Sequence, residues 1–215
     1  MSGEPTGQLV WEPGVRDPGR LAALAVSGLV GTGPEDAFDR LTELAATVIG
    51  APQAFVTLVD AERYRFKSAV GLADGAPQHG LVEQSFCRYV VGSGRPLVVE
   101  DAANDPRTSD DPAVELLGVA AWAGFPVVGP TGEVLGTFCV VASSPRRWSD
   151  CDVHVLATLA AAASSEIALV VLRRELDVLR VTAGSMHAAG GGADGQPHRR
   201  GLRQAVLRLL RVPRP

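Results

Sequence analysis

Little of this sequence goes to cysteine, lysine, methionine or tyrosine. Cysteine numbers three, an odd count with no close pair. That excludes a disulfide-held scaffold and fits a reducing compartment. Of the twenty basic residues only Lys67 is a lysine, which reflects genome composition more than mechanism. No signal peptide is expected, because MSGEPTGQLVWEPG lacks a basic start and an apolar run. The most apolar stretch, 153–172, is interrupted by His154, Thr158, Ser164, Ser165 and Glu166. A spanning helix needs about 20 nearly continuous apolar residues, so the expected location is the cytoplasm.

What is present is an ordinary globular composition. The 215 residues are 46% hydrophobic and 20% charged, which excludes a mostly disordered chain and allows a core without metals or disulfides. The net charge of −4 conceals an asymmetry. Residues 196–215 hold six arginines and no acid, leaving the first 195 with fourteen basic residues against 24 acidic ones. An acidic body argues against nucleic acid as a partner. The arginine-rich end, 199–215, reads as a short basic amphipathic tail. At most it gives weak membrane contact.

Periodicity gives the element order. Residues 1–16 read as a flexible arm, 18–29 as a short helix and 35–49 as a stronger one. The second presents Phe38, Leu41, Ala45 and Val48 on one face. Residues 54–60 and 64–70 read as a hairpin, 71–80 as a loop, 81–91 as a short helix and 96–100 as a strand. Asp101, Asp105, Asp110 and Asp111 fall in a polar loop read as solvated. After one helical turn at 113–117, strands 120–128 and 134–142 flank a Gly-Pro-Thr-Gly turn. Ser149 and Asp152 resemble a capping box, opening a helix over 150–180, roughly 45 Å long. Val153, Leu156, Ala160, Ala163, Ile167 and Val170 form one stripe, and Leu169, Leu172, Leu176 and Leu179 a second. Residues 181–198 read as a Gly-rich linker. The class is therefore α+β, an antiparallel sheet of five or six strands flanked by helices, with one domain over 17–180.

Several segments carry a family resemblance. They are 35–44 (EDAFDRLTEL), 55–60 (FVTLVD), 66–72 (FKSAVGL), 85–87 (SFC), 95–102 (RPLVVEDA), 105–107 (DPR), 123–126 (AGFP), 132–140 (GEVLGTFCV) and 145–146 (PR). Taken in order, they resemble the GAF domain family, and within it a bacterial signalling subgroup. The resemblance implies helices from both ends of the domain on one sheet face and a ligand pocket on the other. It also implies dimerisation through terminal helices and output to a signalling partner. No catalytic domain follows within this sequence, so a separate partner protein is expected. The Asn-Lys signature of cyclic-nucleotide binders is absent, and no cofactor is specified.

Candidate site residues follow. Phe86, Tyr89, Trp122, Phe125 and Phe138 are aromatics able to line a pocket for a planar ligand, with Arg88 as an anchor for an acidic group. Arg95 is a second such anchor. Cys87 and Cys139 are candidates for the pocket or for thiol chemistry, either a redox sensor or a methionine sulfoxide reductase-like enzyme. Against that stands their use as small buried apolar residues. Fifty-two positions separate them, and spacing alone does not bring them together. His79 and His154 lack metal-ligand spacing, so no metal is expected. The principal reading is a non-catalytic sensor that binds a small molecule or a protein. It dimerises through Leu169, Leu172, Leu176 and Leu179.

Overall fold

The computed structural model describes residues 11–33 and 35–189, with side chains along the last helix up to residue 182. Helices α1 (Glu12–Val15), α2 (Pro18–Ser27) and α3 (Asp36–Ile49) precede strands β1 (Gln53–Val59), β2 (Arg63–Val70) and β3 (His79–Leu81). Helix α4 (Cys87–Ser93), β4 (Leu97–Val99), α5 (Pro112–Leu116), β5 (Ala121–Val128), β6 (Val134–Ala142) and α6 (Asp150–Ala189) follow. The six strands form one antiparallel sheet in the order β3-β2-β1-β6-β5-β4.

Strand alternation sorts the core into two. Ala54, Val56 and Leu58 of β1, with Phe138, Val140 and Ala142 of β6, meet α2, α3 and α6. The intervening Phe55 and Val59, with Cys139 and Val141, meet α1, α4 and the segment around α5. Both faces are covered, so the central strands read as nearly continuous apolar runs.

Each helix lies where its sequence stops and starts it. α3 has Asp36 and Asp39 in its first turn, where the helix dipole favours acids, and ends at Gly50 with φ 64°. Its buried face is Phe38, Thr42, Ala45 and Ile49, one position away from the expected stripe, and Val48 is exposed. A polar residue made the difference. Thr42 Oγ1 donates to Phe38 O (3.2 Å) and lies 2.7 Å from Ser68 Oγ, which in turn donates to Asp39 (2.5 Å). A buried hydroxyl with those partners is no liability.

The capping box at α6 forms: Asp152 N donates to Ser149 Oγ (3.1 Å) and Ser149 N to Asp152 Oδ2 (3.0 Å). Leu156, Leu159, Ala160, Ala163, Ile167 and Val171 of α6 are buried. A window of this helix is long and apolar enough, by length and composition, to cross a membrane, with mean hydropathy 2.1. That departs from the sequence reading. The stripe just named is what packs against the sheet.

Two boundaries differ from expectation. Helix α6 continues to Ala189, so 181–189 are helical and not linker. The first compact unit ends at Arg174, and from Glu175 the described residues are further turns of α6. Within the expected N-terminal arm, α1 docks on α4. There, a Cβ on Gly14 would run into the Gly92 carbonyl. Arg20 anchors this end: its Nη1 donates to Val59 O (2.7 Å) and its Nε to Val15 O (3.1 Å). The remainder of the linker and the basic tail at 199–215 lie outside the described residues.

Phe138 is fully buried at the centre of the helix-side core. Phe138→Ala is expected to lower stability by about 3–5 kcal/mol. Val48→Ala, on the exposed face of α3, should change it by less than about 0.5 kcal/mol. Urea midpoints of the two variants check the assignment of faces.

Candidate ligand site

The face of the sheet away from α3 and α6 is not filled completely. A cavity of about 340 Å³ lies among β1, β2, β5, β6, the turn at Val82–Gln84, the start of α4 and α5. Phe55 and Phe66 stack in it at 4.5 Å and 17°. Trp122 meets Phe86 edge-on at 6.0 Å and 75°. The Trp122 ring extends over Gly124, where any Cβ would collide with it. Glycine in this strand is therefore what lets the indole lie flat along it. Gln53, Thr57, Tyr64, Gln84 and Ser85 supply polar groups to the lining, and His79 and Gly80 form part of its rim. None of the lining residues is Asp, Glu, Lys or Arg.

Cys87 and Cys139 both face this cavity and are each buried to 3% exposure or less. Sheet register brings them together. Cys139 sits two residues from Thr137 on the same side of β6, and Thr137 Oγ1 donates to Cys87 Sγ at 3.2 Å. Each thiol is the other's main electrostatic neighbour. The Cys139 thiol, with help from Ser85, Thr137 and Thr57, outweighs burial and holds Cys87 down to about 6. Cys139 is pushed well up, first by Cys87 and then by burial. The pair thus releases one proton easily and the second with difficulty. Burial, reinforced by the Cys87 charge, also raises Tyr64.

Arg88 and Tyr89 do not face the cavity. Arg88 Nη2 donates to Asp111 Oδ2 (2.7 Å) and to Tyr89 Oη (2.9 Å), and Tyr89 Oη donates to the same carboxylate oxygen (2.7 Å). The guanidinium lies 5.2 Å from the Trp11 ring centroid and 4.7 Å from that of Tyr89. These rings stand in for acceptors that Arg88 Nε and Nη1 lack. Burial and the bond with Asp111 push Tyr89 up to about 12. Asp111 Oδ1 meanwhile accepts from Ala113 N (2.8 Å), capping α5. The expected anchor for an acidic ligand is thus a structural clamp, and Asp111 is buried where a solvated loop was expected.

Phe125 and Phe138, expected to line the cavity, lie on the other face of the sheet. They pair across β5 and β6 but belong to the helix-side core, because their positions have the opposite parity to Trp122 and Cys139. Arg95 and His154 are exposed and away from the cavity. The lining residues not singled out from sequence are chiefly Phe55, Thr57, Tyr64 and Phe66. Period-two alternation through β1 and β2 was the signal that marked them. A wider hollow of about 650 Å³ lies between α3 and β2. It is lined by charged groups, and its Lys67 is already held by Glu35 (2.7 Å), Thr32 (2.5 Å) and the Gly33 carbonyl (2.8 Å).

A two-faced antiparallel sheet with terminal helices on one face and a neutral, aromatic-lined cavity on the other defines a small α+β domain with the architecture of a GAF domain. The GAF domain model matches residues 33–167, and the chain belongs to that family, whose members are typically regulatory modules of signalling proteins. A cyclic di-GMP phosphodiesterase of Pseudomonas aeruginosa is 30% identical over 129 residues, 59% of this chain and 21% of the relative. The match therefore spans about a fifth of that protein. The GAF domain from an Acinetobacter phosphoenolpyruvate-protein phosphotransferase superposes with TM-score 0.53 at 19% identity, covering 74% of this chain and 96% of that one. A free methionine-R-sulfoxide reductase from Neisseria meningitidis, solved with its substrate, gives 0.53 at 13% identity, covering 71% and 89%. At these identities the structural likenesses establish the fold alone.

Asp111→Ala removes the cap and leaves Arg88 buried without its counter-charge. It is expected to cost about 3–5 kcal/mol in denaturant unfolding, against about 1 kcal/mol for Tyr89→Phe. In a Cys151→Ser background, alkylation of Cys87 by a small haloacetamide should climb between pH 5 and 7 as the thiolate forms. It should level off below the pH at which an ordinary thiol does.

Proposed function

We propose that this protein is a non-catalytic sensor domain of bacterial, cytoplasmic signal transduction. It binds a small neutral molecule with a planar face between Phe55, Phe66 and Trp122. The observation that carries this reading is the cavity itself. Its volume falls within the range of small-molecule sites, and its lining is mostly apolar with a few polar groups. The absence of cationic side chains from the lining disfavours phosphate-bearing ligands.

The domain acts as a homodimer and signals to a separate protein. Support for the dimer comes from Leu169, Leu172, Leu176 and Leu179. They are exposed and recur at three- and four-residue steps along α6, the spacing of a coiled-coil seam. Ligand occupancy shifts the domain between two states in proportion to its differential affinity for them.

Three experiments test this reading. Protein isolated from its host's extract and then denatured should release a discrete small molecule that Trp122→Ala protein does not carry. Equal release from both, or none from either, removes the cavity from ligand binding. Leu172→Glu combined with Leu176→Glu should sediment as a monomer, and a dimeric double variant takes α6 out of the interface. The domain is also expected to leave free methionine sulfoxide unreduced in the presence of dithiothreitol. Methionine formation lost on Cys87→Ser would replace the sensor reading with a thiol enzyme.

A further inference from the structure

We propose that Cys87 and Cys139 are a peroxide-sensitive pair, closing to a reversible disulfide when a hydroperoxide enters the cavity. This goes beyond ligand sensing and does not depend on what the cavity otherwise binds.

Three observations carry it. The cysteines come from different elements, the first residue of α4 and the middle of β6, yet both line one cavity, and Thr137, two residues from Cys139 on the same side of β6, reaches Cys87 Sγ at 3.2 Å. Both side chains border the cavity, so a small oxidant reaches the sulfurs without unfolding the domain. Their surroundings are also hydroxylic. Thr137 Oγ1 donates to Cys87 Sγ, and Ser85 Oγ accepts from Cys87 N at 3.3 Å. Thr57, paired with Thr137 across β1 and β6, keeps a buried Oγ1 with no conventional hydrogen-bond partner. Cysteines used only as small apolar fillers have no need of three hydroxyls. A thiolate does, since each hydroxyl that turns toward the sulfur offsets part of the cost of burying its charge.

The chemistry balances with the hydroperoxide as the oxidant. The Cys87 thiolate attacks the terminal peroxide oxygen, and the O–O bond breaks. Cys87 becomes a sulfenic acid, and the alkoxide or hydroxide leaving group takes up the proton that Cys87 lost. Cys139 sulfur then attacks the Cys87 sulfur. The S–S bond forms, the S–O bond breaks, and the hydroxyl departs as water with the Cys139 proton. Two thiols and one hydroperoxide give one disulfide, one alcohol or water, and one further water. In the bridge the sulfurs stand about 2 Å apart. The bridge then fastens the start of α4 to the centre of the sheet, at the edge of the cavity.

Cys151 is exposed at the start of α6 and outside this pair, so the test uses the full chain with Cys151→Ser. The reduced protein is treated with hydrogen peroxide at neutral pH, unfolded and alkylated. Both thiols should vanish in step, proteolysis should yield one peptide pair joined through Cys87 and Cys139, and dithiothreitol should restore both thiols. With Cys139→Ser added, Cys87 should stop at a sulfenic acid that dimedone traps. Two thiols still alkylated after peroxide would overturn the proposal, as would sulfinic acid at Cys87 without a bridge. The first measurement leaves both cysteines in place, so a variant that fails to fold does not obscure the answer.

Discussion

The structure rests on one constraint: six short antiparallel strands must fill two different cores at once. A strand has only two sides, so every second residue is committed to each. In β1, and in β6 from Gly136 onward, the even positions go to the helices and the odd positions to the cavity side. A one-residue slip would exchange the sets. It would put Phe138 into the cavity and turn Cys139 toward α6. The close approach of Gly136 to the Thr57 carbonyl, where a Cβ would collide, helps fix this register.

The two sides are solved differently. The helix side is filled with aliphatic and small side chains plus Phe38, Phe125, Phe138 and Trp148, and one fully buried polar residue of α3, Thr42, is satisfied by short bonds. The other side is built from a seven-residue helix, turns and a loop, which cannot cover a sheet densely. Aromatic rings span the space instead, and a void remains. The same short elements bring polar groups with them, which is why hydroxyls gather around two cysteines there.

Much of this was legible before the coordinates. The strands β1, β2, β4, β5 and β6 announced themselves through β-branched and aromatic alternation, and the α6 capping box was explicit. β3 was not, because three residues that include His79 and Gly80 form a strand only by pairing with the edge of β2. The face of α3 was misread by one position because Thr42 looks polar until its partners are known. In the site, Cys87, Cys139, Phe86 and Trp122 were nominated and lie together. Phe125 and Phe138 were nominated too, and parity alone separated them from the cavity. Arg88 misled for a different reason. A cation in a helix next to aromatics suggests a ligand anchor, and only the fold reveals that Asp111, 23 residues later, already occupies it.

That carboxylate has a mechanical consequence. One oxygen of Asp111 holds the first turn of α5 and the other holds α4 through Arg88 and Tyr89. Ala113 and Leu117, which border the cavity, are thus fastened to the same part that carries Cys87. On the opposite rim, Ala76 and Pro77 belong to the largely exposed stretch that leads into β3, where His79 pairs with Arg65 of β2. One wall of the cavity is thus braced by a buried carboxylate, and the other ends in an exposed turn. Because a single carboxylate joins α4 to α5, Cys87 and the α5 side of the cavity keep a common position.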